Sequence, residues 1–198
     1  MSEKMDRRVR KTRAQLRAGL ARLMQRKSIK EITVKELVDE IDINRSTFYL
    51  HYTDIYQMLK SIEDDLSQEI VTTMEEHPLD PMSTDGAYPF VIQLFTILEE
   101  NKDICASLIG PNGDMVFVEQ IENLIADNIL PDLFSKYPND IQDIQYVFSF
   151  CIAGCVGLIK TWLNEENSNS PKHMAQLMQQ MITNTVYGFI HRKENTAN

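Results

Sequence analysis

The chain has 198 residues, 43% hydrophobic and 25% charged, the composition of a globular protein with one substantial core or two small ones. Its net charge of −9 hides a split: residues 1–60 carry 14 Lys and Arg against 8 Asp and Glu, whereas residues 61–198 carry 6 against 21. Three cysteines are too few for a disulfide framework, the basic N-terminus lacks the apolar stretch of a signal peptide, and Tyr146–Ile159 is expected to fall short of a membrane span. The expectation is a soluble, cytoplasmic protein in which a basic binding module precedes an acidic, solvated body.

From Val9, apolar residues recur at Leu16, Leu20, Leu23 and Met24, which predicts an amphipathic helix over about residues 7–26. Its other face is Arg8, Lys11, Arg22 and Arg26. Thr33 and Glu36 form a T-x-x-E capping box for a second helix, with Val34, Leu37, Val38 and Ile41 as its buried stripe. Asp42 and Ile43 make a corner, and Asn44 is a good N-cap for a short third helix from Arg45 to about Leu50. Asp54 with Gln57 caps a fourth, whose stripe of Ile55, Leu59, Ile62, Leu66 and Ile70 runs to about Glu76.

His77–Tyr88 collects Pro, Gly, Ser and Asp and reads as a loop. Helical pattern resumes at Pro89–Asn101 and, briefly, at Ile104–Leu108. After the break at Gly110–Gly113 it continues through Met115–Leu130, where Pro131 is expected to end or kink the helix. Two long helices follow. One opens on an Asn139-x-x-Gln142 capping box and runs to about Asn164; the other opens on Ser170-Pro171 and runs to about Arg192. With no strand pair, repeat or low-complexity tract, the fold class is all-α with about nine helices. The expected organisation is a three-helix module over residues 1–54, a linking helix over 55–76 and a helical-bundle domain over 77–198.

The segment Thr33–Asp54 carries the most specific signal. An arbitrary helical hairpin needs only the buried stripe, but here the outward residues also make sense as a group. Arg45 suits a bidentate fork to guanine O6 and N7, and Tyr49 suits a base or a phosphate. Ser46, Thr47 and His51 offer short donors to phosphate oxygens, with Asn44 at the start of the same helix. Thr33 puts a hydroxyl at the start of the second helix, and Lys35 extends that basic edge. Phe48 and Tyr52 read as the apolar side that pins the third helix to its neighbours. Twelve of the 20 Lys and Arg lie between Lys4 and Lys35, leading into this segment.

In register, Ile32-Thr33-Val34, Leu37-Val38, Ile41-Asp42-Ile43-Asn44 and Thr47-Phe48-Tyr49-Leu50-His51-Tyr52 resemble the TetR family of bacterial transcription regulators, whose pattern runs roughly I-T-V-x-x-I-A-x-x-A-G-V-S-x-x-T-F-Y-x-H-F. The resemblance covers about residues 7–60; beyond residue 75 it rests on length, helix count and the last two helices. It implies a helix-turn-helix that binds a palindromic operator in double-stranded DNA, and a C-terminal domain that binds a small molecule and dimerises through its last two helices. Two departures bear on grip. Asp42 replaces the family's corner glycine, and Ile55 replaces a lysine that many members use on phosphate, which shifts backbone affinity toward Lys35, His51 and the arm Arg7–Arg13.

Residues Ile141–Leu163 are apolar nearly all round, which calls for burial on more than one side. Ala153, Gly154 and Gly157 allow close backbone approach, and the final helix adds Leu177, Met181, Thr185 and Phe189. These residues fit a homodimer interface or, alternatively, a monomer core. Phe90, Phe95, Leu98, Phe117, Ile121, Cys151 and Cys155 fit the lining of a pocket for a small apolar effector, or plain core. Cys151 and Cys155, at i and i+4, read as buried apolar residues or as a thiol switch, though adjacent helical turns rarely suit a disulfide. Residues 77–88 and 110–114 fit gating loops or ordinary connections.

The histidines have no metal-ligand spacing, and no phosphate loop, G-x-S-x-G or H-E-x-x-H occurs, so neither a metal, a cofactor nor an enzymatic activity is expected. The expected function is ligand-responsive repression by a DNA-binding homodimer. The competing reading is a protein-interaction co-activator module with weak or vestigial DNA binding.

Overall fold

The computed structural model describes residues 2–78, 88–166 and 169–196. Among them are nine α-helices and no strand: α1 (Ser2–Met24), α2 (Val34–Glu40), α3 (Arg45–Tyr49), α4 (Ile55–Glu76), α5 (Tyr88–Glu100), α6 (Lys102–Ile109), α7 (Met115–Lys136), α8 (Ile141–Leu163) and α9 (Pro171–Thr196). A 3-10 turn, Ile29–Glu31, joins α1 to α2. The all-α expectation holds. Most of the expected loop at 77–88 lies outside the described residues.

The chain forms two compact units that cut across the expected segments. The first is Met1–Gln68 together with Asn101–Val118; the second is Glu69–Glu100 together with Glu119–Asn198. Thus α6 and the start of α7, expected in the C-terminal domain, pack with the N-terminal helices. The physical reason is a polar tether inside an apolar contact. Ser107 Oγ on α6 lies 3.0 Å from Ala21 O on α1 and 2.8 Å from Asp103 O, its one proton shared between the two carbonyls, and Ile104, Cys105 and Leu108 are buried beside it.

In the first unit, Leu16, Leu20, Leu23 and Met24 of α1 are buried as their spacing requires, together with Leu37 and Val38 of α2. The α4 stripe of Ile55, Leu59, Ile62 and Leu66 is also buried. Gly19 lets α1 and α2 approach closely: a Cβ there would collide with Ile41 Cγ2 and lie 3.1 Å from Leu37 Cδ1. Asp42 has φ 53°, so it takes the left-handed corner that its sequence position demanded.

In the second unit, α5 and α8 pack on α9. Phe95 and Trp162 meet edge to face at 5.1 Å, and the indole Nε1 donates to Asn169 O at 2.7 Å. Ser170 caps α9, accepting from the His173 amide at 3.3 Å.

Two local expectations are corrected and a third is narrowed. Of the two outcomes expected at Pro131, an end or a kink, the helix end does not occur: α7 continues to Lys136, and the proline is exposed, so the carbonyl it leaves unbonded can be solvated. The Asn139–Gln142 box does not form, because α8 starts one residue later, with Asp140 at the N-cap and no side-chain cap bond. Finally, α8 is not too short or too interrupted to cross a membrane. Its 23 residues, with a mean hydropathy of 1.6 over the most apolar window, are long and apolar enough by length and composition, because Ser and Gly weigh little against Ile, Val, Phe and Cys.

Candidate nucleic-acid interface

The first unit presents α3 on a braced platform. Arg22 Nε donates to Glu40 Oε1 at 2.9 Å and Arg26 Nη2 to Glu40 Oε2 at 2.7 Å, while Lys27 bonds the Glu36 carboxylate. These links tie α1 to α2. The Lys27 hydrogen bond, followed by those from Thr33, holds the Glu36 carboxyl at about 2, and Arg22 and then Arg26 hold that of Glu40 below its ordinary value. Arg22, Arg26 and Lys27 are therefore engaged inside the unit. Sequence reading missed these pairs, although Glu36 and Glu40 at i and i+4 opposite a basic face were a legible charge pattern.

Recognition-type residues then fall into distinct places. Arg45, Ser46 and Tyr49 are exposed on α3, with Tyr49 at 57% exposure. Thr47 and His51 are half-buried. Phe48 is completely buried and Tyr52 nearly so, their rings 5.9 Å apart, and Arg13 lies 5.9 Å over the Tyr52 ring. Phe48 also meets Tyr49 edge to face at 5.5 Å, which fixes the direction in which the exposed phenol projects. Burial raises the Tyr52 hydroxyl above its usual range, so it stays neutral.

Asn44 occupies the N-cap position of α3 but makes no side-chain cap bond, contrary to expectation; it is exposed, and only its carbonyl serves the helix. Thr33 forms the expected capping box, which commits its hydroxyl to Glu36 and leaves a carboxylate where an anion was expected to sit. Lys35 is exposed beside it. Arg7, Arg8, Arg10, Lys11 and Arg13 along α1 are exposed as well. Leu50, which closes the α3 turn, is 82% exposed and was not among the expected site residues.

The expected effector-pocket set is not brought together within either unit. Phe90, Phe95 and Leu98 are buried in the second unit, with Phe95 filled in against Trp162, as core residues are. Phe117 is buried in the first unit. Ile121, Cys151 and Cys155 are half-buried. Burial, with Cys151 adding to it, pushes the Cys155 thiol up to about 11, and burial raises Cys151; such protonated thiols suit packing better than redox chemistry. Among the described residues no group of His, Cys, Asp and Glu could hold a metal ion.

Of the expected interface residues, those on α8 lie on an uncovered face. Ala153, Gly154 and Gly157 are exposed, nothing lies within 4 Å of a Cβ built at either glycine, and Tyr146 and Phe150 stand out beside them. On α9, Met181 is exposed and Leu177, Thr185 and Phe189 are half-buried. The apolar α8 thus receives only part of the burial its composition calls for: Ile144, Ile159, Trp162 and Leu163 are its buried residues.

An all-helical chain with a capped helix-corner-helix in its first unit and a helical second unit has the architecture of a helix-turn-helix transcriptional regulator. Residues 85–184 match a family model described as "Transcriptional regulator C-terminal region", from the TetR group. The chain belongs to the TetR family of transcriptional regulators. An uncharacterized HTH-type transcriptional regulator, YxbF of Bacillus subtilis (strain 168), is 19% identical over 86% of this chain. The chain spans 44% of that relative's length. Three solved structures share the fold. A TetR transcriptional regulator from Streptococcus agalactiae 2603V has a TM-score of 0.53 at 20% identity, covering 92% of this chain and 99% of its own. The fatty acid degradation regulator FadR from Bacillus halodurans has 0.63 at 10%, covering 86% and 94%. The dihydroxyacetone kinase operon activator DhaS has 0.52 at 19%, covering 91% and 96%.

Proposed function

We propose that this chain is a sequence-specific DNA-binding regulator that works in the cytoplasm as a homodimer, most simply as a repressor released by a small apolar effector. The observation that carries the reading is the split of α3: Arg45, Ser46 and Tyr49 project outward while Phe48 and Tyr52 are locked beneath them. A helix held this way offers a fork donor and hydroxyls to base edges and phosphates in a major groove. Exposed Lys35 and the basic α1 supply the sequence-independent attraction.

The homodimer is supported by the uncovered face at Phe150, Gly154 and Gly157. One five-residue α3 reads few base pairs, whereas two copies related by a two-fold axis read a palindrome whose half-sites lie ~34 Å apart. An effector must bind the DNA-incompetent arrangement more tightly to shift the balance.

Titrating the purified protein against the DNA upstream of its own gene, at moderate salt with random duplex as competitor, tests the reading. Specific retardation is expected. Its absence, with the protein folded and dimeric, would favour a protein-interaction module instead.

A further inference from the structure

Leu50 is the most exposed large hydrophobic side chain among the described residues, at 82%. A single exposed leucine is ordinary on a protein surface, so exposure alone decides nothing. Its placement does. The Leu50 amide donates to Ser46 O at 3.2 Å and its backbone is αR, so Leu50 continues the α3 turn and lies one turn beyond Ser46. At 100° per residue, Ser46 and Leu50 lie opposite the buried Phe48 and Tyr52, and the exposed Arg45 and Tyr49 flank them. An apolar side chain thus sits among polar groups on the outward arc, with no core to join.

A major groove offers such a side chain one distinctive apolar partner, the C5 methyl of thymine. We propose that Leu50 reads a thymine methyl and so fixes one A·T base pair in each half-site. The proposal rests on α3 facing DNA as set out above, and it adds the base that one residue selects. Leu50 makes no buried contact that folding needs, so changing it leaves the platform of Phe48 and Tyr52 intact.

The test uses the full chain and duplexes enriched by it from a random library. Each thymine of an enriched half-site is replaced in turn by deoxyuridine, which removes only the methyl. One position is expected to weaken binding about fourfold, the worth of one buried methyl group. Leu50→Ala should lose that discrimination, binding the thymine and uracil duplexes equally, and Leu50→Met should retain it. Enrichment without any methyl-sensitive position, or a penalty that persists in Leu50→Ala, would overturn the role of Leu50 while leaving DNA reading intact. No enrichment at all would overturn DNA reading, and this role with it.

Discussion

Thr33 and Glu36 close on each other. The Thr33 hydroxyl and amide donate to Glu36 Oε2 at 2.9 and 3.0 Å, and the Glu36 amide donates back to Thr33 Oγ1 at 3.2 Å. With Lys27 on its other oxygen, the Glu36 carboxyl sits at about 2, below its ordinary 4.5. A carboxyl lowered on folding stabilises above its unfolded value and loses that contribution as pH falls through the folded one. Glu36→Gln is therefore expected to flatten the fall in stability between pH 4.5 and 2, and Thr33→Ala to cost about 1 kcal/mol in urea unfolding at pH 7. An unchanged acid limb would show that the pairing contributes nothing.

Gly19 tests the α1–α2 approach. Alanine gains up to about 1 kcal/mol in helix propensity, but its Cβ would meet the branched end of Ile41, and overpacking costs roughly 1–3 kcal/mol. The net expectation for Gly19→Ala is a loss of about 1 kcal/mol, read as a lower urea midpoint. A higher midpoint would mean that Ile41 yields.

Glu63 gives the first unit a pH dependence of the opposite sign. It is 6% exposed, and its Oε1 lacks a hydrogen-bond partner. Burial, and then the charge of Asp114 at the start of α7, pushes its carboxyl up to about 7 from 4.5. The folded chain then holds a proton that the unfolded chain has released, so stability falls as pH rises from 4.5 through 7, by roughly 3 kcal/mol at most. Thermal unfolding of Glu63→Gln should match the parent at pH 4.5 and exceed it at pH 8. Parallel curves at both pH values would contradict the assignment.

The uncovered face of the second unit predicts the behaviour of Gly154→Arg. Because nothing lies within 4 Å of a Cβ there, the isolated fold accepts the side chain, and far-UV circular dichroism should not change. For the proposed homodimer, sedimentation should shift from dimer to monomer. A variant that sediments like the parent would place the dimer contact elsewhere.

Much of this was legible in the sequence wherever one local rule acted alone. The α1 and α4 stripes, the Thr33–Glu36 box and the Asp42 corner each follow from periodicity or capping. Asn139 is not the cap because cap sequences compete one residue apart, and Pro131 does not end α7 because an exposed helix can leave one carbonyl to solvent. The place of α6 was hidden because it depends on Ser107 meeting Ala21, 86 residues away in sequence. Among the candidate site residues, the outward placement of Arg45 and Tyr49 was readable from spacing. Leu50 was not, since an apolar residue is assigned to a core until its neighbours are seen to face away from it.

The most direct measurement compares Arg45→Ala with the parent on an enriched duplex and on random DNA of the same length at fixed salt. A direct base contact predicts a loss of roughly 1–3 kcal/mol on the enriched duplex and little change on random DNA. Equal losses on both would make Arg45 a phosphate contact and contradict base reading by α3.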